Sequence, residues 1–253
     1  MLQKNIHNKV TVGTWITLAH PSIAEIMAAS GFDWIAIDLE HSVITIREAE
    51  ELIRVINLSG VTSLVRLTSN DPNQIKRIMD AGSCGIIVPM VKSVDDVKQA
   101  VAAVKYPPYG NRSVGLARAQ DYGRTFIDYL EWQKSQSIVI IQIEHIEAVN
   151  NLESIFNIDG VDGYIIGPYD LSASLGIPGE FDNPLFLDAM SRVKKVASDM
   201  KIMGGIHIIE PDPDQLQMRI NEGYQFIAYS LDIRMIDSVC KEGLNILERT
   251  KNT

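Results

Sequence analysis

The chain has 253 residues, 46% hydrophobic and 22% charged, with a formal net charge of −9 and a sequence pI near 5.0. Such a composition supports a sizeable globular core and excludes disordered and small disulfide-stapled classes. The acidic balance argues against a nucleic-acid partner. No apolar run reaches the roughly 18 residues of a membrane span, and the opening MLQKNIHNKVTVGTW holds no signal-peptide core.

VTVGTWI (10–16) is the first of a series of β-branched runs, and Pro21-Ser22 then precede IAEIMAAS, with Glu25 at capping-box spacing from Ser22. WIAIDLEH (34–41) is followed by Thr45 and REAEELIRVI, with Glu48 at the same offset. TSLVRL (62–67) is followed by Asp71-Pro72 and NQIKRIMDAG, and GIIVPMV (85–91) by Ser93 and DDVKQAVAAVK. A long loop rich in Pro, Gly and Arg (105–124) and the helical stretch TFIDYLEWQKSQ lead to SIVIIQIEH (137–145). GYIIGPYDL (163–171) leads into a second long loop, SASLGIPGEFDNP (172–184). IMGGIHII (202–209), a helix opened by Asp212-Pro213, and QFIAYSLD (225–232) complete the pattern.

Nearly continuous apolar runs suit strands buried on both faces of a parallel sheet. Eight such strands alternating with capped helices, without a Gly-rich dinucleotide turn, predict one (β/α)8 TIM barrel over residues 1–253. Cys84 and Cys240 lie far apart without metal-ligand spacing, so two free thiols in a reduced, cytoplasmic setting are expected.

In such a barrel the working groups stand at the C-terminal strand ends. Reading those ends gives Asp38, Glu40, His41, Arg66, Gln142, Glu144 and Asp170. Glu144 and Asp170, on neighbouring strands, repel if both are bare. A proton, local hydrogen bonds or a hard divalent cation can resolve that conflict. His41 is open to three roles: general base, metal ligand or structural residue, with Asp38 placed to orient its ring. Arg66 can stabilise an oxyanion or pair with Asp38 or Glu40. His20 and His207 have no evident partner. Arg112 and Arg118 in the long loop can meet anions, solvent or another subunit.

Trp15 within GTWITLAHPSIAEIMAASGFDWIAIDLEHS, then LVRL, IMDAGSCGIIVPMV, KYPPYGNRS, QIE and GPYDLSASLGIPG follow in order. This set resembles the HpcH/HpaI aldolase family, metal-dependent class II pyruvate aldolases, from about Thr11 to Asp232. The resemblance implies cleavage of a 4-hydroxy-2-oxo acid to pyruvate and an aldehyde, reversibly, through a metal-bound pyruvate enolate. It makes Glu144 and Asp170 the ligands of a divalent cation (Mg²⁺, Mn²⁺ or Co²⁺) and sets Arg66 on the keto oxygen. His41 enters the acid/base apparatus, assisted by Asp38, with Asp80 as a partner from a neighbouring subunit. Gln142 supports the metal's water shell, Trp15 lines the pocket, and main-chain N–H groups around the turn Gly167, Pro168 and Tyr169 hold the pyruvate carboxylate.

A homohexamer, a trimer of dimers that exchange the last helix, is further implied, with no nucleic acid or membrane partner. His145, Tyr169 and Ser113 depart from the commonest family pattern and bear on the aldehyde. The rival readings are an oxaloacetate-type decarboxylase on the same site and a non-catalytic barrel that binds a 2-oxo acid.

Overall fold

The computed structural model describes residues 9–251. Eight parallel strands close into a barrel in the order β1 to β8, with β1 paired to both β2 and β8. They are β1 (Thr11–Ile16), β2 (Trp34–Asp38), β3 (Thr62–Arg66), β4 (Gly85–Val88), β5 (Ile138–Ile143), β6 (Gly163–Ile166), β7 (Met203–Ile208) and β8 (Phe226–Leu231). Around them run α1 (Pro21–Ala29), α2 (Ile46–Leu58), α3 (Pro72–Asp80), α4 (Val94–Val104), α5 (Phe126–Ser135) and α6 (Ile146–Asn150). The ring is completed by α7 (Leu152–Phe156), α8 (Pro168–Ser174), α9 (Pro184–Met200), α10 (Pro213–Asn221) and α11 (Asp232–Lys251).

Alternate residues of each strand face inward. The lower interior is filled by Trp34, Ala36, Leu64, Ile87, Ile140, Ile165, Phe226 and Ala228. Trp34 stacks on Phe226 with ring centroids 4.0 Å apart. That stack explains Gly13, where a Cβ would lie 2.0 Å from the Trp34 indole. The outward strand residues meet the helices in the main core, which includes Ile35, Ile37, Leu52, Ile75, Val139 and Val193. Asp232 closes the β8–β1 seam: its carboxylate accepts from Thr17 N (2.8 Å), Thr17 Oγ1 (2.7 Å) and Leu18 N (2.8 Å).

Thr45–Glu48 and Ser93–Asp96 form capping boxes, and Asp71 and Asp212 cap α3 and α10. The cap of α1 differs from expectation. His20, not Ser22, accepts from the Ser22 N–H, because Pro21 already occupies the first helical turn. The run 163–171 also divides. Its strand ends at Ile166, and Gly167 is the N-cap of α8, so Asp170 lies in a helical first turn. The second long loop accordingly begins after Ser174. Cys84 is buried, Cys240 is exposed, and both are free. Among the described residues no helix is long and apolar enough to cross a membrane.

Candidate active site

At the C-terminal rim a cavity of about 340 Å³ is lined by Trp15, Thr17, Asp38, His41, Arg66, Gln142, the Gly167–Asp170 turn and His207. Arg66, the last residue of β3, donates from Nε to Asp38 Oδ1 (2.9 Å) and from Nη2 to Asp38 Oδ2 (2.7 Å). Its guanidinium lies 4.5 Å from the centre of the Trp15 ring, and its Nε is 3.4 Å from Glu40 Oε2. Nη1 makes no hydrogen bond among the described residues, so one face of a fixed cation is left for a ligand. Asp38 also accepts the backbone N–H groups of Glu40 (3.0 Å) and His41 (3.3 Å). Burial works to raise the Asp38 carboxyl, but the bonds and charge of Arg66 and the two N–H groups hold it below the usual range.

Glu144 is 1% exposed, just past the end of β5. Its Oε1 accepts the Met90 N–H at 2.5 Å, and its Oε2 accepts the Gln142 amide. Met90 delivers that N–H from a left-handed backbone (φ +53°), a strained conformation for a residue with a Cβ. Gly167 makes room for the carboxylate, since a Cβ there would sit 2.6 Å from Oε2. Burial pushes Glu144 up to about 7; its two donors oppose the shift, and the charges of Glu40 and Asp170 add to it. Glu40 is likewise raised to about 7 by burial, against the pull of Arg66 and with the help of Asp38 and Asp170. His207 goes the other way, down to about 4, through burial and the charge of Arg66.

Two carboxyls that resist ionising, Glu40 and Glu144, near the Asp170 charge and open space, suit a hard cation. Among the described residues no group of three or more His, Cys, Asp or Glu side chains forms a ready metal cage. Glu144 and Asp170 would supply two hard oxygen ligands and leave several positions to water or substrate. Such a donor set fits Mg²⁺ or Mn²⁺ better than a soft metal.

The model of the HpcH/HpaI aldolase/citrate lyase family matches residues 11–237. The chain belongs to this family. A hydroxypyruvate/pyruvate aldolase of Sagittula stellata is 39% identical over 230 residues, 89% of this chain and 88% of its own. A 4-hydroxy-2-oxo-heptane-1,7-dioate aldolase of Salmonella dublin is 36% identical over 228 residues, 89% and 85% of the two chains. The crystal structure of an HpcH/HpaI aldolase/citrate lyase family protein from Burkholderia cenocepacia J2315 superposes with a TM-score of 0.91 at 30% identity, over 97% of this chain and 98% of that one. Aldolases are carbon–carbon lyases, the enzyme class in which this membership places the chain.

Within this HpcH/HpaI barrel, several expectations need correcting. Asp38 does not orient the His41 ring, because its oxygens are taken by Arg66 and backbone N–H groups. The His41 side chain is 63% exposed, and its nearest carboxylate is Glu40, with Nε2 3.8 Å from Oε2. Asp80 ends α3, at the opposite end of the barrel from its own rim, and pairs there with Arg112 (2.8 Å), so the role expected of it remains one toward a neighbouring subunit's rim. Arg112 is therefore neither solvated nor a loop residue waiting for an anion: its side chain is fully buried. Of the turn expected to hold a carboxylate, Gly167 spends its N–H on the Ile143 carbonyl (3.2 Å) and Pro168 has none. The remaining donors are Tyr169 and, one residue on, Asp170, whose first-turn N–H groups have no acceptor within the helix. His145 caps α6 by accepting the Glu147 N–H.

Two residues of this rim are named in the sequence, but the fold makes their contacts. Glu40 is visible beside His41, but its closeness to Arg66 is made by the β2–β3 pairing of Asp38 with Arg66. His207 faces Trp15 with ring centroids 5.5 Å apart, a meeting of β7 and β1 that only barrel closure brings about.

Proposed function

We propose that the chain is a divalent-metal-dependent aldolase that splits a 4-hydroxy-2-oxo acid into pyruvate and an aldehyde, and runs in reverse as an aldol addition. The observation that carries this reading is a cavity lined by a rigidly seated arginine with an unspent Nη1 and by Asp170, with the buried Glu144 carboxylate packed against Gly167 of its wall, a carboxylate pair suited to a hard cation. The names of the curated relatives point the same way.

When bound at Glu144 and Asp170, a divalent cation would act as a Lewis acid toward the 2-oxo acid. The chain's own groups do the rest. The N–H groups of Tyr169 and Asp170 face the carboxylate end of the substrate. Arg66 Nη1 donates to the keto oxygen, where negative charge grows as the C3–C4 bond breaks, and Asp38 keeps the guanidinium from turning away. His41, at the exposed edge of the cavity, takes the C4 hydroxyl proton. The C4–O bond becomes the aldehyde carbonyl, and the C3–C4 electron pair stays with the three-carbon half as an enolate. Protonation at C3 then gives pyruvate. Assembly into a homo-oligomer through α11 belongs to the same reading, with Ile236 and Val239 exposed along that helix.

Proton exchange at the methyl group of pyruvate in D₂O, followed by NMR, tests the proposal without any guess about the aldehyde. Exchange is expected with Mg²⁺, Mn²⁺ or Co²⁺, and should disappear with EDTA and in Glu144→Ala and Asp170→Ala. A folded protein that gives no exchange with any of the three metals, and cleaves no 4-hydroxy-2-oxo acid, would overturn it.

A further inference from the structure

The last strand of the barrel ends irregularly, beside the cavity. Along β8, Phe226 and Ala228 face the barrel interior, while Ile227 and Tyr229 pack outside it. Strict alternation would turn Ser230 inward and Leu231 out toward the helices. The register against β1 shifts instead: Gly13 pairs with Ala228 but Trp15 with Leu231, so two steps of β1 oppose three of β8. Ser230 absorbs the extra residue in a left-handed backbone (φ +55°), a strained conformation for a residue with a Cβ. Leu231 is thereby turned against the interior cluster and onto the wall of the cavity.

The strained turn is firmly held. Ser230 is wholly buried, its hydroxyl donates to the Ile209 carbonyl (2.9 Å), and its own carbonyl accepts from Thr14 Oγ1 (3.2 Å). Strain over-determined in this way beside a ligand cavity points to a use for the side chain it re-aims. Leu231 does not act alone: Ile209, just past β7, and Ile233, in the first turn of α11, line the same cavity. The charged residues interleaved with them are turned elsewhere. Asp232 accepts from Thr17 and Leu18, and Arg234 spends Nε and Nη2 on Glu210 and Nη1 on Asp237. Among the described residues that line the cavity, Arg66 alone carries a permanent positive charge.

The other walls are spent on the reacting atoms. His41 and Arg66 follow or end β2 and β3, Gln142 stands on β5, and the Gly167–Asp170 turn supplies N–H groups and a ligand for the cation. What remains for the part of the substrate beyond C4 is the side made by β7, β8 and the start of α11. An apolar group gains there by leaving water, whereas a carboxylate or phosphate would give up its hydration with no cation in return. We propose that Leu231, with Ile209 and Ile233, forms the wall that receives the aldehyde half, and that this half carries an uncharged, apolar substituent in place of a terminal anion. The inference rests on the aldolase reading, deepens it to an acceptor class, and makes Leu231 a specificity-determining residue.

The test adds pyruvate to two four-carbon aldehydes, butanal and succinic semialdehyde, in metal-loaded enzyme. They differ by a terminal methyl against a terminal carboxylate, and the ratio of their kcat/KM values reads the wall. Wild type should favour butanal by roughly tenfold or more, because the carboxylate is desolvated without a partner. Leu231→Ala should lose most of that preference, chiefly through the KM for butanal. Ile233→Lys, at a position 43% exposed where a charge need not disturb the core, should bring the ratio to one or below. A wild-type ratio at or below one, or a ratio that neither variant moves in protein that still melts cooperatively, would overturn the wall. Failure of the aldolase reading looks different: the C3 protons of pyruvate do not exchange and neither aldehyde is consumed, and the inference falls with it.

Discussion

Two buried arginines, one at each end of the barrel, are built from the same parts. Arg66 pairs with Asp38 and lies 4.5 Å from Trp15; Arg112 pairs with Asp80 and lies 4.4 Å from Tyr106. They differ in where the leftover donor lies: that of Arg112, its Nε, is buried. Arg112 spends Nη1 and Nη2 on the Val104 carbonyl, the Tyr106 and Tyr129 hydroxyls and Asp80, and packs the 105–124 loop onto α3 and α5. Arg66 spends Nε and Nη2 on a single carboxylate and keeps Nη1, beside a cavity near which the buried Glu40 and Glu144 resist ionisation. Burial, charge and an aromatic neighbour do not separate a structural arginine from a working one. Unspent hydrogen-bonding capacity facing open space does.

The largest expected effects test that contrast directly. Arg112→Met leaves Asp80 unpaired and removes the anchor of two tyrosine hydroxyls, and should cost about 3–5 kcal/mol of stability. Chemical denaturation reads that loss, while kcat per folded molecule should stay near wild type. Arg66→Lys keeps a cation beside Asp38 but loses the planar fork and Nη1, so kcat should fall by about 10²–10³ with a much smaller change in melting temperature. If the two variants exchanged signatures, the distinction drawn from leftover donors would be wrong.

The same contrast separates what is legible in the sequence from what is not. The eight strands are legible because a parallel barrel buries both faces, which turns each strand into an apolar run. The end of β6 is obscured because GPYD continues such a run. Yet Gly167-Pro168 carries the same signal as Asp71-Pro72, proline in the first helical turn. Asp38, Arg66 and Gln142 line one cavity because they share strand ends, a property set by register and hence by sequence, and Asp170 joins them from the helical turn that follows β6. Who bonds to whom is not legible. The pairing of Arg66 with Asp38 is one alternative among several along the chain, and the pairing of Arg112 with Asp80 joins a loop to a helix end 32 positions away. The meeting of Trp15 and His207 depends on barrel closure and the register shift between Gly13 and Trp15.

His207 sharpens the comparison through stability. Its pKa falls from 6.5 in the open chain to about 4 in the fold, through burial first and the Arg66 charge second. Between these values the unfolded chain takes up a proton that the folded one refuses, so stability is lost as pH falls from about 6.5 toward 4. The full loss is roughly 3 kcal/mol, at about 1.4 kcal/mol for each tenfold difference in proton affinity. Glu40 and Glu144, both raised to about 7, act with the opposite sign, losing stability as pH rises from about 4.5 through 7. The difference between wild type and His207→Leu in urea unfolding across pH 4–7 isolates the histidine. A flat difference would mean that the ring is hydrated or already paired.

The smallest effect, and the one closest to the chemistry, is the pH dependence of cation binding. Glu144 near 7 is mostly protonated at pH 6, and a carboxyl must lose its proton to ligate. Affinity for Mn²⁺ should therefore climb by up to about tenfold per pH unit below pH 7 and level off above it, with up to one proton released per ion. Glu40→Gln removes one of the charges that raise Glu144, so the break in the curve should move to lower pH. Calorimetry in two buffers of different ionisation enthalpy counts the protons, and water relaxation by Mn²⁺ gives the affinity. A break that stays in place would mean that burial alone sets the Glu144 carboxyl. The polar crowd at this rim would then resemble the Arg112 end, with each group held by its own partners and none tuning its neighbour.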